Sequence, residues 1–83
     1  RAHWHSHGWG QLLLPEEGRG RFQVRGEPLR ELRPGEPVFT AGGVVHWHGA
    51  APDSSLVMIA VQGGGAEWEE PVSDEVYLAE PAG

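Results

Sequence analysis

The stretch that decides the fold is His3-Trp4-His5-Ser6-His7-Gly8-Trp9-Gly10-Gln11, and His46-Trp47-His48 repeats its histidine spacing. These two segments contain all five histidines of the chain. Side chains two residues apart in a β-strand point the same way. On an α-helix they would lie about 200° apart, because each residue turns the helix by about 100°. The spacing therefore predicts strands that direct several imidazoles into one space, an arrangement typical of a transition-metal site.

The rest of the sequence indicates an all-β domain. Thirteen glycines and seven prolines separate short apolar runs, as turns separate strands. We predict about seven short strands of a sandwich or jelly roll, over residues 3–7, 11–14, 20–25, 29–32, 38–40, 44–48 and 56–62. Residues 15–18 are predicted to form a turn. Ser73 is predicted to cap a short helix that carries Val76, Tyr77 and Leu78.

The length and the cysteine content limit how this domain can be stabilised. The chain has 83 residues and no cysteine, so it is expected to be one domain without disulfides or thiolate-bound zinc. A chain of this size buries only roughly 60% of its unfolded surface. A metal held by histidines, a dimer interface, or both would supply the missing stability.

The charge pattern argues against nucleic acid as a partner. The net charge is −6, all six arginines lie within residues 1–33, and residues 51–83 carry seven acids without arginine or lysine. Phosphate binding needs clustered basic groups. No run is typical of a signal peptide or of a membrane span, so we expect no membrane partner and a cytoplasmic location. Arginine without lysine, together with much Gly, Pro and Ala, is typical of a GC-rich bacterial genome. The start at Arg1 is compatible with a domain of a longer protein.

Two motifs resemble those of the cupins. His5-x-His7-x-x-x-Gln11, followed by six residues and Gly18, is similar to the first cupin motif, with Gln in place of the usual Glu. Gly35, followed by seven residues and Gly43-Val44-Val45-His46, is similar to the second, with Ala41 in place of the usual Pro. The likeness extends over about residues 1–77 and is strongest to a bacterial subfamily that includes manganese-dependent hydroxynitrile (mandelonitrile) lyases. The stretches that carry it are residues 5–11, 33–35, 46–50, 60–62, Trp68 and 72–75.

The resemblance implies a small cupin jelly-roll β-barrel with a short C-terminal helix. We expect a single cupin domain over residues 1–83, with the barrel and both motifs in residues 1–62. A glycine linker and an acidic C-terminal segment would follow in residues 63–83. Relatives have further strands before Arg1, so we expect an open barrel edge that pairs with another chain.

The same resemblance implies a metal bound by four side chains: His5, His7, Gln11 and His46. The residue pattern agrees, since His5 and His7 share a strand face and a three-residue turn lets Gln11 return toward them. Manganese is expected by resemblance, and Fe, Ni, Co and Zn also suit these ligand types. A neutral glutamine leaves the full double charge on the metal, which favours Lewis acidity.

Five positions near this set lead to predictions about how substrate and protons are handled. Met58 stands where the subfamily has a further active-site histidine, and Met58 cannot transfer a proton. His48, with help from His3, is predicted to take over proton transfer. Leu13, Phe22 and Met58 are predicted to line an apolar substrate pocket.

We therefore predict a metal-dependent lyase for a small hydroxy or carbonyl compound. Two alternatives are a metal-dependent dioxygenase and a non-enzymatic module that binds metal or a small ligand. We also expect a homodimer. The run Leu56–Val61 is apolar on both faces, which predicts cover by the barrel interior on one side and by a partner subunit or the C-terminal segment on the other. Trp4 and Trp47 alternate with the inward histidines and are expected to bury in a neighbouring layer or a dimer contact.

Overall fold

Eight strands and one helical turn form the fold in a computed structural model that describes residues 1–82. The elements are β1 (His5–His7), β2 (Gln11–Gly18), β3 (Gly20–Val24), β4 (Arg30–Leu32), β5 (Val38–Thr40), β6 (His46–Ala50), β7 (Leu56–Gln62), β8 (Ala66–Trp68) and α1 (Asp74–Tyr77). The nearly all-β architecture with a short C-terminal helix confirms the predicted fold class. In the described residues, no helix has the length and apolar character needed to cross a bilayer.

The strands form two antiparallel sheets. One sheet has the order β4-β3-β6-β1-β8 and the other the order β5-β2-β7. Within residues 1–82 the strands do not close into a barrel, since β4 and β8 are edges of the first sheet and β5 and β7 are edges of the second. Pairing within the first sheet sets the position of the two histidine motifs, because β6 lies between β3 and β1 and places His5 opposite His46.

An apolar core lies between the two sheets. Leu13, Phe22 and Leu32 are buried together, and Leu56 and Met58 pack against them. These side chains come from β2 and β7 of one sheet and from β3 and β4 of the other. The core therefore holds the two sheets together directly beside the histidine motifs.

A second apolar layer covers the outer side of the first sheet. Trp4, Leu29, Trp47 and Val72 are buried together, which confirms that the two tryptophans bury away from the histidines in a neighbouring layer. Val76 and Tyr77 of the C-terminal segment pack against the same cluster. The segment is fixed there by the predicted cap, in which the Val76 backbone N–H donates to Ser73 Oγ at 3.2 Å.

Within the described residues, the outer face of β7 is not covered by the C-terminal segment, which was one of the two predicted covers. Val57, Ile59 and Val61 are each about half exposed, while Leu56 and Met58 on the other face pack into the core. The C-terminal segment does not cover the exposed face, because it packs on the tryptophan layer of the other sheet. Cover by a partner subunit stays a prediction.

The turn predicted at residues 15–18 is wrong, because β2 runs on through them to Gly18. Pairing with β5 ends at Leu13, so β2 has only β7 as a partner strand beyond that point. A proline without an N–H is tolerated where one side of a strand is unpaired, and Pro15 uses its carbonyl to accept from the Gly35 N–H at 3.0 Å. A register shift between Pro15 and Glu17 marks a bulge there.

Other strand boundaries also differ from the predictions. The strand expected over residues 3–7 begins only at His5, because the chain bends at Trp4. The strand expected over residues 44–48 lies at His46–Ala50, and β8 after the glycine run was missed. Gly64 and Gly65 have φ of 79° and 74°, values that only glycine adopts readily, and they connect β7 of one sheet to β8 of the other, where β8 pairs with β1.

Candidate metal centre

Three buried imidazoles converge between the sheets. His5 and His7 lie on β1 and His46 lies on the adjacent β6, and one ring nitrogen from each lies within 4.8 Å of the other two. All three residues are at most 3% exposed. The ring centroids are 4.9 Å apart for His5 and His7 and 4.4 Å apart for His5 and His46. The structure thus brings together the three histidines predicted as ligands.

Backbone carbonyls select the tautomer of two of these rings. His5 Nδ1 lies 2.7 Å from the His3 carbonyl oxygen, and His46 Nδ1 lies 2.9 Å from the Val44 carbonyl oxygen. A carbonyl can only accept, so both Nδ1 atoms carry a proton and donate it. Burial is the main cause that lowers the pKa of His5 and of His46 below the ordinary value. Both rings are therefore neutral near pH 7, with a lone pair on Nε2, which is the form that binds a metal.

Gln11 adds an oxygen to this set of nitrogens. The side chain is 2% exposed, and its Oε1 lies 2.8 Å from His46 Nε2. In neutral His46 this Nε2 is an acceptor, and an amide oxygen is also an acceptor. Two acceptors at this distance repel each other unless a cation or a proton lies between them. The pair is thus arranged to share a positive charge.

An unpartnered atom in the same place indicates that the positive charge is a metal. His7 Nε2 is buried and has no hydrogen-bond partner among the described residues, and leaving such a group unsatisfied costs about 1–3 kcal/mol. Three imidazole nitrogens and one amide oxygen are a donor set that divalent first-row metals accept. The residues present therefore fit a divalent metal.

His48 lies beside the cluster and is half-buried. Its ring centroid is 5.4 Å from that of His5 and 6.2 Å from that of His46. Burial, followed by the proximity of His5 and His46, lowers the pKa of His48 to about 4. The structure therefore places His48 next to the centre as an uncharged imidazole.

His3 is not brought into the cluster. It is exposed and precedes β1, and its Nδ1 lies 3.3 Å from the backbone oxygen of Glu69. Because the chain bends at Trp4, the strand alternation that predicted an inward direction for His3 does not extend to it. A role for His3 in proton transfer stays a prediction.

The residues predicted to line a substrate pocket lie in the core beside the centre. Leu13 and Phe22 are fully buried in the cluster between the sheets, and Met58 is half-buried against them. The Phe22 ring centroid is 5.9 Å from that of His46. Their contact with a substrate stays a prediction.

Two further residues at the centre were not predicted as site residues. Gln62 accepts a hydrogen bond from Gln11 Nε2, and the Trp68 ring centroid lies 4.7 Å from that of His5. Both belong to positions that pair across strands with a ligand, Gln62 with Gln11 and Trp68 with His5. Gln62 could have been found by alternation along β7, since it lies four residues after Met58. Trp68 lies on a strand that the sequence did not predict.

Comparisons with known proteins agree with this architecture. No protein-family model matches the chain. A cupin-like protein from Thermotoga maritima has a similar structure, with a TM-score of 0.87 and 48% identity over 90% of this chain and 59% of that one. The (R)-mandelonitrile lyase of Granulicella tundricola is 40% identical in an alignment of 81 positions, which covers 93% of this chain and 62% of that protein.

These findings establish the fold and the likeness. The chain has the cupin fold, and it resembles the (R)-mandelonitrile lyase named above. It spans less than two thirds of the length of each relative. The two comparisons and the histidine cluster together support the interpretation of this chain as a metal-binding cupin.

Proposed function

We propose that this chain is a metal-dependent lyase of the hydroxynitrile lyase type, which acts on a small hydroxy or carbonyl compound. The observation that carries the proposal is the buried cluster of three imidazoles with the Gln11 amide oxygen 2.8 Å from the His46 ring. The likeness to an (R)-mandelonitrile lyase supports the reaction class. Manganese is the proposed metal, by resemblance to the manganese-dependent lyases of this subfamily.

His5, His7, Gln11 and His46 would hold the metal. When bound, it would supply Lewis acidity by polarising a substrate oxygen and stabilising the negative charge that develops there. All four side chains are neutral donors, so none of them offsets the charge of the cation. Their burial keeps water away from the centre and strengthens every electrostatic interaction within it.

Cleavage of a cyanohydrin requires a group that moves one proton. The hydroxyl loses its proton to a base, the bond between the carbinol carbon and the nitrile carbon breaks, and cyanide leaves with the electron pair. The proton then passes to cyanide, so that the products are an aldehyde and hydrogen cyanide. His48 is the side chain proposed for this transfer, because it lies beside the ligands without belonging to the cluster.

The test is cleavage of mandelonitrile by the manganese-loaded protein, measured as release of benzaldehyde. His48→Gln is expected to lower kcat about 100- to 10,000-fold, the range typical of a lost general base, while the bound metal per chain is unchanged. Glu36→Gln, at an exposed turn position, is the control and is expected to retain full activity. Unchanged activity in His48→Gln would remove His48 from the reaction. Absence of cleavage by the manganese-loaded wild-type protein would refute the proposed lyase activity.

Met58 favours a second candidate, a non-enzymatic module that binds metal or a small ligand. Its thioether stands where related lyases have a further histidine and cannot transfer a proton, and it packs into the apolar core. If the chain is such a module, we expect the metal-loaded protein to bind a small ligand tightly without turnover. Met58→His separates the two functions, since a gain of cleavage over an inactive parent would show that only the proton-transfer group was missing.

A further inference from the structure

Gln11 is the one proposed ligand whose side chain has two chemically different ends. Its Oε1 can bind a cation, whereas its NH₂ group has no lone pair available for one. The two ends are nearly the same size, so packing alone does not choose between them. The metal centre therefore needs a further contact that sets which end of Gln11 faces His46.

His46 by itself favours the NH₂ end of the Gln11 amide, which cannot bind a cation. Its Nδ1 donates to the Val44 carbonyl, so its Nε2 carries a lone pair. Without a metal, a lone pair is better satisfied by an N–H donor than by an oxygen. The Gln11 NH₂ group would thus turn toward His46 if nothing else held it, yet the oxygen lies there, 2.8 Å away.

Gln62 holds the opposite end of the Gln11 amide. Residues Thr40, Gln11 and Gln62 form one row across the sheet, because Gln11 pairs with Thr40 on β5 and with Gln62 on β7. Gln11 Nε2 donates to Gln62 Oε1. Thr40 offers no competing contact, since its buried Oγ1 has no hydrogen-bond partner within residues 1–82.

We propose that Gln62 is a positioning residue, which fixes the Gln11 amide so that its oxygen faces the three histidines. Gln62 lies on the edge strand β7, where cross-strand pairing sets its backbone opposite that of Gln11. It acts through Gln11 and does not itself join the cluster. The inference rests on the metal centre of the proposed function but not on the reaction assigned to it.

The first test is the affinity of the metal-free protein for Mn²⁺, measured by calorimetric titration. Gln62→Leu removes the acceptor and is expected to weaken binding about 10- to 100-fold, the usual effect of losing a residue that orients a ligand. Gln62→Glu keeps an acceptor for the Gln11 NH₂ group and is expected to bind as tightly as wild type or more tightly. Gln23→Leu is the matched control, because Gln23 accepts from Trp47 Nε1 in the outer layer and its loss should leave affinity unchanged.

A second background separates positioning from a general structural role. In Gln11→Glu the ligand is a carboxylate, which has an oxygen at both ends and needs no orientation. Gln62→Leu is therefore expected to have little effect on Mn²⁺ affinity in that background. An equal loss in both backgrounds, or no loss in either, would overturn the proposal.

An NMR measurement decides the inference even if the chain binds no metal. In the metal-free protein, the Gln11 side-chain NH₂ protons are expected to show nuclear Overhauser contacts to Gln62 and none to the His46 ring. In Gln62→Leu these protons should turn toward the ring. Contacts to the ring in the wild-type protein would refute the positioning role, whereas failure of Mn²⁺ to bind would refute only the metal centre.

Discussion

Replacing His7 by leucine should stabilise the metal-free protein and weaken its stabilisation by metal. In the part of the chain that the structure describes, His7 Nε2 is buried and has no hydrogen-bond partner, so the metal-free protein is destabilised by an unsatisfied polar atom. Leucine is similar in size to histidine and removes that atom. We therefore expect His7→Leu to raise the free energy of unfolding of the metal-free protein by about 1–3 kcal/mol.

With metal present the variant should lose about 2.3 kcal/mol of stabilisation by metal relative to the wild-type protein. At a metal concentration about 100 times its dissociation constant, the wild-type protein gains about 2.7 kcal/mol. If loss of one ligand weakens binding by about 100-fold, the variant gains only about 0.4 kcal/mol at the same concentration. The difference of about 2.3 kcal/mol corresponds to roughly 2 M in the urea midpoint, for a slope of about 1 kcal/mol/M.

Urea unfolding followed by tryptophan fluorescence measures both effects, because Trp4 and Trp47 are buried and become exposed on unfolding. One series contains a chelator and the other contains Mn²⁺. His3→Leu is the matched control, since His3 is exposed outside the cluster and should gain as much from metal as wild type does. Equal stabilisation of wild type and His7→Leu by metal, or strong destabilisation of His7→Leu without metal, would refute the reasoning.

Two further predictions concern the layers outside the centre. Trp47→Ala should lower the free energy of unfolding by about 3–5 kcal/mol, because the ring is fully buried and joins the C-terminal segment to the first sheet. Urea unfolding measures this loss. A loss below about 1 kcal/mol would show that the C-terminal segment adds little to stability. If a second copy covers the outer face of β7, Ile59→Lys would bury an unpaired charge in the interface, which is costly. The variant should therefore sediment as a monomer and the wild-type chain as a dimer. A wild-type monomer would contradict the predicted homodimer.

The sequence predicted the histidine cluster because strand alternation is a local property. His5 and His7 needed only the two-residue period of a strand, and the resemblance supplied the partner His46 from a distant strand. The same reasoning misplaced His3, since a bend at Trp4 ends the alternation. The alternation of side-chain direction applies only within a strand, and the amino-acid sequence alone does not show where a strand begins or ends.

Contacts that depend on pairing between strands were harder to predict. The extension of β2 through Pro15 depends on the loss of β5 as a neighbour, which is a property of the sheet and not of the proline. Gln62 and Trp68 reach the centre through their registers with Gln11 and His5. Alternation along β7 gives the face on which Gln62 lies, but neither its pairing with Gln11 nor the position of Trp68 follows from the sequence without a known register.

Anomalous diffraction from crystals grown with Mn²⁺ tests the central claim most directly. We expect one anomalous peak per chain, bounded by one nitrogen each of His5, His7 and His46 and by Oε1 of Gln11. A map in which the ion lies elsewhere, or in which the three imidazoles hydrogen-bond to one another around no ion, would contradict the metal centre.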